Sequence, residues 1–190
     1  MTTPNELKAV PDPSGTAAAG ERAPEQVVAA FFDAFGRHDV EAIRRLLTDD
    51  IVEELSGTSP IEGIENECAF LTGLFAAFPD MQVDVTRLMA VGELVAVAWT
   101  RQGTFAGDDF QGLPANGAKI DSPAAGFFEI EGSLIKRITV YADMNKFGRD
   151  LGLVPAEGSM AERLALAMFR GRVRVQRAAN ALRRGQRAIG

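Results

Sequence analysis

Residue types that often carry reactive chemistry are scarce in this sequence. Its 190 residues include one cysteine, Cys68, and one histidine, His38. A lone cysteine cannot form an intrachain disulfide. One cysteine and one histidine are also too few for a His/Cys metal cluster, and the lone histidine offers no Ser-His-Asp triad. A phosphate-binding glycine loop is also missing from the sequence. We therefore expect no metal site and no nucleotide site, and we interpret His38 as a solvated turn residue.

Long apolar segments are missing as well. No run in the sequence is long and apolar enough to span a bilayer. The N-terminal residues do not have the apolar stretch of a secretory signal. Together with the single cysteine, this favours a reducing, cytoplasmic location.

Positive charge is rare outside one segment of the chain. The net charge is −6, yet residues 160–190 hold eight arginines and one acid, Glu162. The remaining residues carry 12 basic and 25 acidic side chains. An acidic body argues against nucleic-acid binding by the domain itself, whereas the basic segment needs its own explanation.

Three regions follow from these patterns. Residues 1–23 mix Pro, Gly, Ala, Ser and Thr without apolar periodicity, which predicts a flexible leader. Residues 24–156 form the predicted domain. Residues 157–190 form a tail in which apolar residues recur at threes and fours among arginines, which predicts a basic amphipathic helix. We expect this helix to pack on its own acidic body or on a second copy; the alternative partners are an acidic protein or an anionic membrane surface.

Hydrophobic periodicity predicts an α+β domain. Helical spacing appears from Pro24 to Gly36, again after a predicted N-cap at Asp39 over residues 39–50, and before Pro79. Period-2 patterns then predict strands at 81–91, 94–105, 120–130 and 134–143, after a short strand at 50–55. In the first of the four, Met81, Val83, Val85, Met89 and Val91 are predicted to face the core. About three helices are therefore expected to cover one face of a curved antiparallel sheet.

The last strand ends on a carboxylate. Period 2 places Ile135, Arg137, Thr139, Tyr141 and Asp143 on one face of that strand. Asp143 has two interpretations. As the N-cap of a helix beginning at Met144, its carboxylate would be held ionised by backbone N–H groups. As a general acid/base inside an apolar pocket, it would have a pKa raised by desolvation.

Several stretches, in order, resemble the SnoaL-like polyketide cyclase family of the nuclear transport factor 2-like superfamily. They are "AAFPDMQVDV", the loop "GTFAG…GLPANGAKI" and the terminal "YAD…LGLVP", and the resemblance spans residues 24–156. It implies a cone-shaped fold with an apolar pocket. It also implies an aspartate at Asp143 that acts as general acid/base without a cofactor.

The resemblance has gaps. Characterised cyclases of this kind have a histidine on the preceding strand, where this chain offers Glu129, which either shares a proton with Asp143 or faces water. Limonene-type epoxide hydrolases use an Asp-Arg-Asp trio. Arg101 and Asp143 correspond to two of its members, but Gly103 occupies the third position, so Glu129 or Asp84 would have to substitute. Ketosteroid isomerases place a tyrosine on the first helix, which has phenylalanines here.

The sequence thus predicts an enzyme of secondary metabolism that cyclises or isomerises a hydrophobic, polyketide-like substrate. Asp143 is the predicted acid/base, with Arg101 and Glu129 as assistants. Epoxide opening by Asp143 and Arg101 is the alternative enzyme, and a non-catalytic domain for ligand binding or assembly is the alternative class. A homodimer is expected. The predicted pocket residues are Trp99, Tyr141, Phe127, Phe128, Phe35, Phe31, Phe70 and Leu74.

Overall fold

The computed structural model describes residues 22–187 and divides them into two compact units between Leu151 and Gly152. The predicted flexible leader lies outside the described residues, apart from its last two. The domain limits 24–156 and 157–190 stay a prediction.

Four helices belong to the first unit: α1 (Pro24–Gly36), α2 (Val40–Arg44), α3 (Ile64–Ala77) and α4 (Met144–Asp150). The Asp39 carboxylate caps α2 by accepting a hydrogen bond from the Ala42 N–H at 2.9 Å, as predicted. The predicted second helix is too long, because the chain leaves the helix after Arg44 and becomes extended from Leu47 onward.

One six-stranded sheet forms the rest of the unit, and the predicted α+β class is confirmed. Its strands are β1 (Leu47–Leu55), β2 (Ile61–Glu62), β3 (Gln82–Val91), β4 (Leu94–Phe105), β5 (Ala118–Glu131) and β6 (Leu134–Ala142), in the order β2-β1-β6-β5-β4-β3. The sheet is mixed, because β1 and β6 run parallel. These two strands lie far apart in sequence, so no tight turn forces them to be antiparallel.

Aromatic side chains join α1 to the inner face of the sheet. Phe31 on α1 packs against Phe128 on β5, with ring centroids 5.6 Å apart. The neighbouring Phe32 packs against Trp99 on β4 at 5.2 Å. Such aromatic pairs bury large apolar areas, and they place the core between the helices and the inner face of the sheet.

Two β-bulges change which side chains face this core. In β3 the register shifts between Val85 and Arg87, so that Leu88 turns inward and Met89 is 64% exposed. The prediction that Met89 and Val91 face the core is therefore wrong, whereas Val85, which precedes the bulge and lies opposite Trp99, is on the predicted face and is 36% exposed. An extra residue in β6, Lys136, likewise turns Ile135 into the core, away from the face of Tyr141 where it was predicted.

His38 occupies the predicted turn between α1 and α2, but it is not a solvated residue. Its Nε2 lies 2.9 Å from the Met81 carbonyl oxygen, and its ring stacks on Phe75 with centroids 4.4 Å apart. The backbone there is left-handed, with φ of 57°. The histidine therefore ties this turn to the chain segment that precedes β3.

Two of the sequence stretches that carry the family resemblance form hydrogen bonds around the end of β4. The Asp80 carboxylate accepts hydrogen bonds from the Thr104 N–H at 2.6 Å and from the Thr104 hydroxyl at 2.7 Å. In the loop after β4, the N–H groups of Gly107 and Asp108 donate to the last carbonyls of α3, each at 3.0 Å. These contacts fix the outer end of β4 against α3.

The second unit contains α5 (Met160–Arg187), which confirms the predicted helix in the tail. The Ser159 hydroxyl accepts from the Glu162 N–H at 3.1 Å, and the Glu162 carboxylate accepts from the Gly158 N–H at 2.6 Å. Both contacts satisfy donors at the start of the helix. Across residues 22–187, no helix combines the length and apolar character that crossing a membrane requires.

The loop at Gly107 yields a stability prediction. A Cβ at this position would lie 1.8 Å from the Ala76 carbonyl oxygen, so Gly107→Ala must displace the backbone. We expect Gly107→Ala to lower the free energy of unfolding by about 2–4 kcal/mol in urea denaturation.

Gly36→Ala is the matched control. A Cβ there would meet Val83 Cγ1 at 3.7 Å, an ordinary contact, and alanine is the better helix former. Its unfolding free energy should stay within about 1 kcal/mol of wild type. Equal effects of the two substitutions would contradict the docking of this loop.

Candidate active site

An aromatic cavity lies between the helices and the inner face of the sheet. We call it the inner chamber; it holds about 40 Å³ of free space. Thirteen residues of α1, α3 and the sheet line it: Phe31, Phe32, Phe35, Glu53, Phe70, Leu71, Leu74, Val83, Trp99, Arg101, Phe128, Ile138 and Val140. The structure thus brings together Phe31, Phe35, Phe70, Leu74, Trp99, Phe128 and Arg101, which the sequence analysis singled out.

Trp99 has a seat shaped by glycine. A Cβ at Gly126 on β5 would lie 3.0 Å from the Trp99 ring and 2.6 Å from the Thr139 carbonyl oxygen. Any side chain at Gly126 would therefore push the indole away or separate β5 from β6. The tryptophan packs flat against the sheet because residue 126 lacks a Cβ.

A second cavity, which we call the outer chamber, lies beyond Arg101 and holds about 70 Å³ of free space. Phe70, Leu74 and Arg101 line both chambers. The remaining lining residues of the outer chamber are Leu55, Thr58, Met81, Phe110, Gln111, Ile120, Ser122, Met144 and Phe147. The guanidinium of Arg101 therefore stands at the junction of two largely apolar spaces.

Two glutamates accompany this arginine. Glu53 lies on β1 and lines the inner chamber, while Glu67 lies on α3 and is fully buried. Burial, and secondly the neighbouring Glu53 carboxyl, raise the pKa of Glu67 to about 9. Burial also raises the pKa of Glu53, against the opposing effects of Glu67 and of the Arg101 charge. We refer to Glu53, Glu67 and Arg101 as the acid–arginine cluster.

The cluster has the parts needed for proton transfer. At neutral pH Glu67 keeps its proton, because its carboxyl is out of water and next to a second acid, whereas Glu53 is the carboxyl that feels the arginine. The protonated Glu67 carboxyl donates a hydrogen bond to the Glu53 carboxyl, while the Nε of Arg101 has no hydrogen-bond partner among the described side chains. Within residues 22–187, no three His, Cys, Asp or Glu side chains gather as metal ligands.

Asp143 lies away from both chambers. Its side chain is exposed and accepts a hydrogen bond from the Lys146 N–H at 2.9 Å, at the start of α4. The capping interpretation of this residue is therefore confirmed. Its neighbour Met144 lines the outer chamber. A catalytic role for Asp143 stays a prediction.

Three further predicted site residues lie on the outer face of the sheet. Phe127 and Tyr141 are 44% and 57% exposed, and their rings pack edge to face at 6.4 Å. Glu129 is exposed on the same face, as expected for the water-facing interpretation. Neither chamber includes Glu129, Phe127 or Tyr141 among its lining residues. Phe127 and Glu129 were predicted to belong to the site. Because β5 turns its even-numbered side chains inward, residues 127 and 129 point outward instead.

Glu53 and Glu67 were missed, although the sequence contains a signal for each. Glu53 alternates with Ile51 and Leu55, two apolar residues of the same strand face. Glu67 falls between Ile64 and Leu71 on the apolar stripe of α3. An acid on an apolar face is the observation that points to a buried, functional carboxyl.

The raised pKa of Glu67 predicts how stability depends on pH. The unfolded chain releases this proton near pH 4.3, roughly the ordinary glutamate value, whereas the folded chain keeps it up to about pH 9. The folded state binds more protons over this interval, so stability falls as pH rises, with a slope of up to about 1.4 kcal/mol per pH unit.

Glu67→Gln should reduce this slope, leaving the part that the raised pKa of Glu53 contributes, and should be more stable than wild type at pH 8, as measured by urea denaturation between pH 5 and 9. Glu129→Gln, an exposed glutamate on the outer face, should keep the wild-type slope. A Glu67→Gln variant with an unchanged pH profile would show that Glu67 is ionised in the folded protein.

Solved structures share this fold. A protein from Jannaschia sp. CCS1 provisionally assigned as a SnoaL-like polyketide cyclase is 21% identical; the match covers 74% of this chain and 100% of that one, with a TM-score of 0.64. IdmH from Streptomyces antibioticus, also provisionally assigned as a polyketide cyclase, is 25% identical over 69% of this chain and 99% of its own, with a TM-score of 0.59. An LEH-like epoxide hydrolase from M. tuberculosis is 21% identical over 76% and 95%, with a TM-score of 0.56. The predicted nuclear transport factor 2-like fold is confirmed.

The sequence comparison agrees with the structural one. No curated protein matches the chain. The SnoaL-like domain family matches residues 28–138, a range that contains the acid–arginine cluster and ends before Asp143. The chain belongs to the SnoaL-like domain family.

Proposed function

We propose that this protein is a cofactor-independent enzyme that isomerises or cyclises a hydrophobic, polyketide-like substrate at the acid–arginine cluster. The observation that carries the proposal is a fully buried carboxyl, Glu67, beside a second carboxyl, Glu53, which lines the aromatic cavity together with Arg101. Such a group does not stabilise the core, because moving a carboxyl out of water costs free energy. Membership of the SnoaL-like family and the likeness to IdmH support the same reaction class.

The cluster suits enolate chemistry. A substrate carbonyl placed at Arg101 would be polarised by the guanidinium. In its ionised form, which the Arg101 charge favours, the Glu53 carboxylate takes a proton from the adjacent carbon, and Arg101 stabilises the enolate oxygen that forms. Glu67 supplies its own proton, either to a different carbon of the enolate in an isomerisation or to the alkoxide that forms when the enolate carbon attacks a second carbonyl. Glu53 then returns the abstracted proton to Glu67, so that the cluster ends in its starting state.

Cavity size sets a condition on this reaction. Drug-sized ligands usually occupy sites of roughly 300–1,000 Å³, more than the 40 and 70 Å³ of the two chambers. A polyketide-sized substrate therefore needs the wall between the chambers to move. Phe70 lines both chambers and packs on Phe110 with centroids 5.6 Å apart. A rotation of these two rings would join the chambers into one space.

Asp143 remains a second candidate for the acid/base. Its place beside Met144 puts it near the wall of the outer chamber, and the family resemblance assigns the role to this position.

Epoxide opening by water is the second candidate function, and the composition of the cluster favours it. Glu129 and Asp84 are the acids that the sequence offers to complete an acid–arginine–acid trio, but both side chains are exposed. Glu53 and Glu67 provide the two acids instead. In this reaction the ionised carboxylate activates a water molecule and the protonated acid donates to the epoxide oxygen.

The binding partner of α5 and the cellular location of the protein stay predictions. The arginine-rich helix α5 carries eight arginines and one acid. Its predicted partner is the acidic body of this protein or a second copy, with an acidic protein or an anionic membrane surface as the alternative. The cytoplasm is the predicted location.

Turnover of a panel of polyketide-like diketones and 1,2-epoxides tests the proposed function. We expect Glu67→Gln and Arg101→Met to lower kcat at least about 100-fold, the usual contribution of a positioned acid or base. Asp143→Asn should stay within about threefold of wild type, and Glu129→Gln serves as the matched exposed control.

The opposite pattern, with Asp143→Asn inactive and Glu67→Gln active, would return the acid/base role to Asp143. Reactions run in oxygen-18 water separate the two enzymes, because only epoxide opening places solvent oxygen in the product. Binding of these compounds without turnover would instead identify a ligand-binding domain.

We also propose that two copies pair through the outer face of the sheet. Phe127, Tyr141 and Met89 are large apolar side chains exposed on this face, 44%, 57% and 64% respectively. A sheet face that exposes such side chains in one copy would bury them in a dimer.

Sedimentation velocity checks this pairing. The wild type should sediment as a dimer, and Phe127→Glu with Tyr141→Ser should shift it to a monomer of unchanged far-UV circular dichroism. Glu41→Ser, which alters an exposed residue of α2, should leave the dimer intact. A monomeric wild type would refute the proposal.

A further inference from the structure

The outer chamber contains a single type of charge. Of its twelve lining residues, Arg101 is the only charged one, and eight are apolar: Leu55, Phe70, Leu74, Met81, Phe110, Ile120, Met144 and Phe147. The other three are Thr58, Gln111 and Ser122. No carboxylate lines this side of the guanidinium, whereas Glu53 lines the inner chamber. A cation in apolar surroundings attracts an anion more strongly than the same cation in water does.

Ser122 adds a second donor at the same place. It is 1% exposed, lies on β5 and faces Arg101 directly across the β4–β5 pair. Among the described residues, neither the Ser122 hydroxyl nor the Arg101 Nε has a hydrogen-bond partner. Buried polar atoms are usually paired, and an unpaired one costs stability, so two such atoms on adjacent strands call for a common partner.

We propose that Arg101 and Ser122 form a binding site for an anionic oxygen on a planar carbon, a carboxylate or an enolate, whose apolar body fills the outer chamber. The guanidinium donates through a planar fork that matches such a group, and the serine hydroxyl donates from the neighbouring strand. The site deepens the proposed function and rests on it, since it names the charge that the hydrophobic substrate carries.

The register of the sheet explains why both donors reach one oxygen. Residues directly opposite in an antiparallel pair have Cβ atoms about 4.5–5.5 Å apart and point to the same face. Arg101 and Ser122 are such a pair. The serine is short and fixed, so it sets the position of the oxygen, while the longer arginine supplies the charge.

Trp99 provides the readout for a binding experiment. It is the only tryptophan of the chain, it lines the inner chamber, and it lies two residues from Arg101 on the same strand face. Its fluorescence is titrated with benzoate, with the enolate of 1,3-cyclohexanedione, and with benzamide as the neutral control of matched shape. We expect both anions to bind at least about 10-fold more tightly than benzamide, because charge-assisted hydrogen bonds are the strong ones. The tighter of the two anions identifies the group as carboxylate or enolate.

Variants assign the preference to the two residues. Ser122→Ala should weaken anion binding about 5- to 10-fold, the loss of one hydrogen bond to a charged group, and should leave benzamide binding unchanged. Arg101→Met should abolish the preference for anions while keeping benzamide binding, which shows that the chamber is intact. Ser56→Ala, a serine outside both chambers, is the control and should behave as wild type.

Equal binding of benzoate and benzamide by the wild type would overturn the site, and so would full anion affinity in Ser122→Ala. Failure of the proposed function is a separate result. Anion preference without turnover on any substrate supports the site and refutes catalysis. Turnover without anion preference overturns the site alone.

Discussion

The structure depends on keeping Arg101 and the Glu53 carboxyl at the wall of an aromatic cavity, with the buried Glu67 carboxyl beside Glu53. Moving an ionised group out of water is expensive, and the protein meets this cost by neutralising Glu67 and by placing Glu53 beside Arg101. Glu67 holds a proton, which leaves Glu53 as the carboxyl that responds to Arg101. The aromatic rings of α1 and the flat seat of Trp99 then exclude water from the same space.

The most specific sequence pieces serve to hold this arrangement in place. Arg101 lies three residues before Thr104, whose backbone and hydroxyl are fixed by the Asp80 carboxylate. Gly107 follows, seated on the last carbonyls of α3, the helix that carries Glu67. The end of β4 and the end of α3 are therefore joined by short hydrogen bonds. The loop residues that carry the family resemblance therefore hold the acid–arginine cluster in place. The reactive groups themselves lie a few residues away.

The spacing of apolar residues and the turn residues predicted most of the fold, because the helices and strands of this chain are amphipathic. The bounds of α1 and the inward face of β4 follow directly from the spacing of apolar residues. The errors came from features with no periodic signature. A bulge adds one residue and reverses the alternation after it, as at Thr86 and Lys136, and nothing in the local pattern marks it. The parallel pairing of β1 with β6 depends on the whole chain.

The site was harder to predict than the fold. Arg101 and the aromatic lining were found, since both follow from strand and helix faces. Glu53 and Glu67 were not predicted, because the strand end and the family motif both point to Asp143, whose hydrogen bond with the Lys146 N–H caps α4. Two acids on apolar faces can be recognised as parts of one site only when the tertiary structure places them beside one arginine.

The pairing of β1 with β6 also governs how the chain reaches its native state. Glu53 is in register with Ile138, 85 positions later in the chain, so its strand has no partner on that side until nearly the whole unit has been synthesised. Loop closure over such a distance is slow, and contacts of this kind dominate the folding time of a domain. The helices and the antiparallel pairs of neighbouring strands can form earlier from local contacts. The cavity, by contrast, is completed late, and until then the acid of β1 stays hydrated, so its desolvation coincides with the final docking of the last strand.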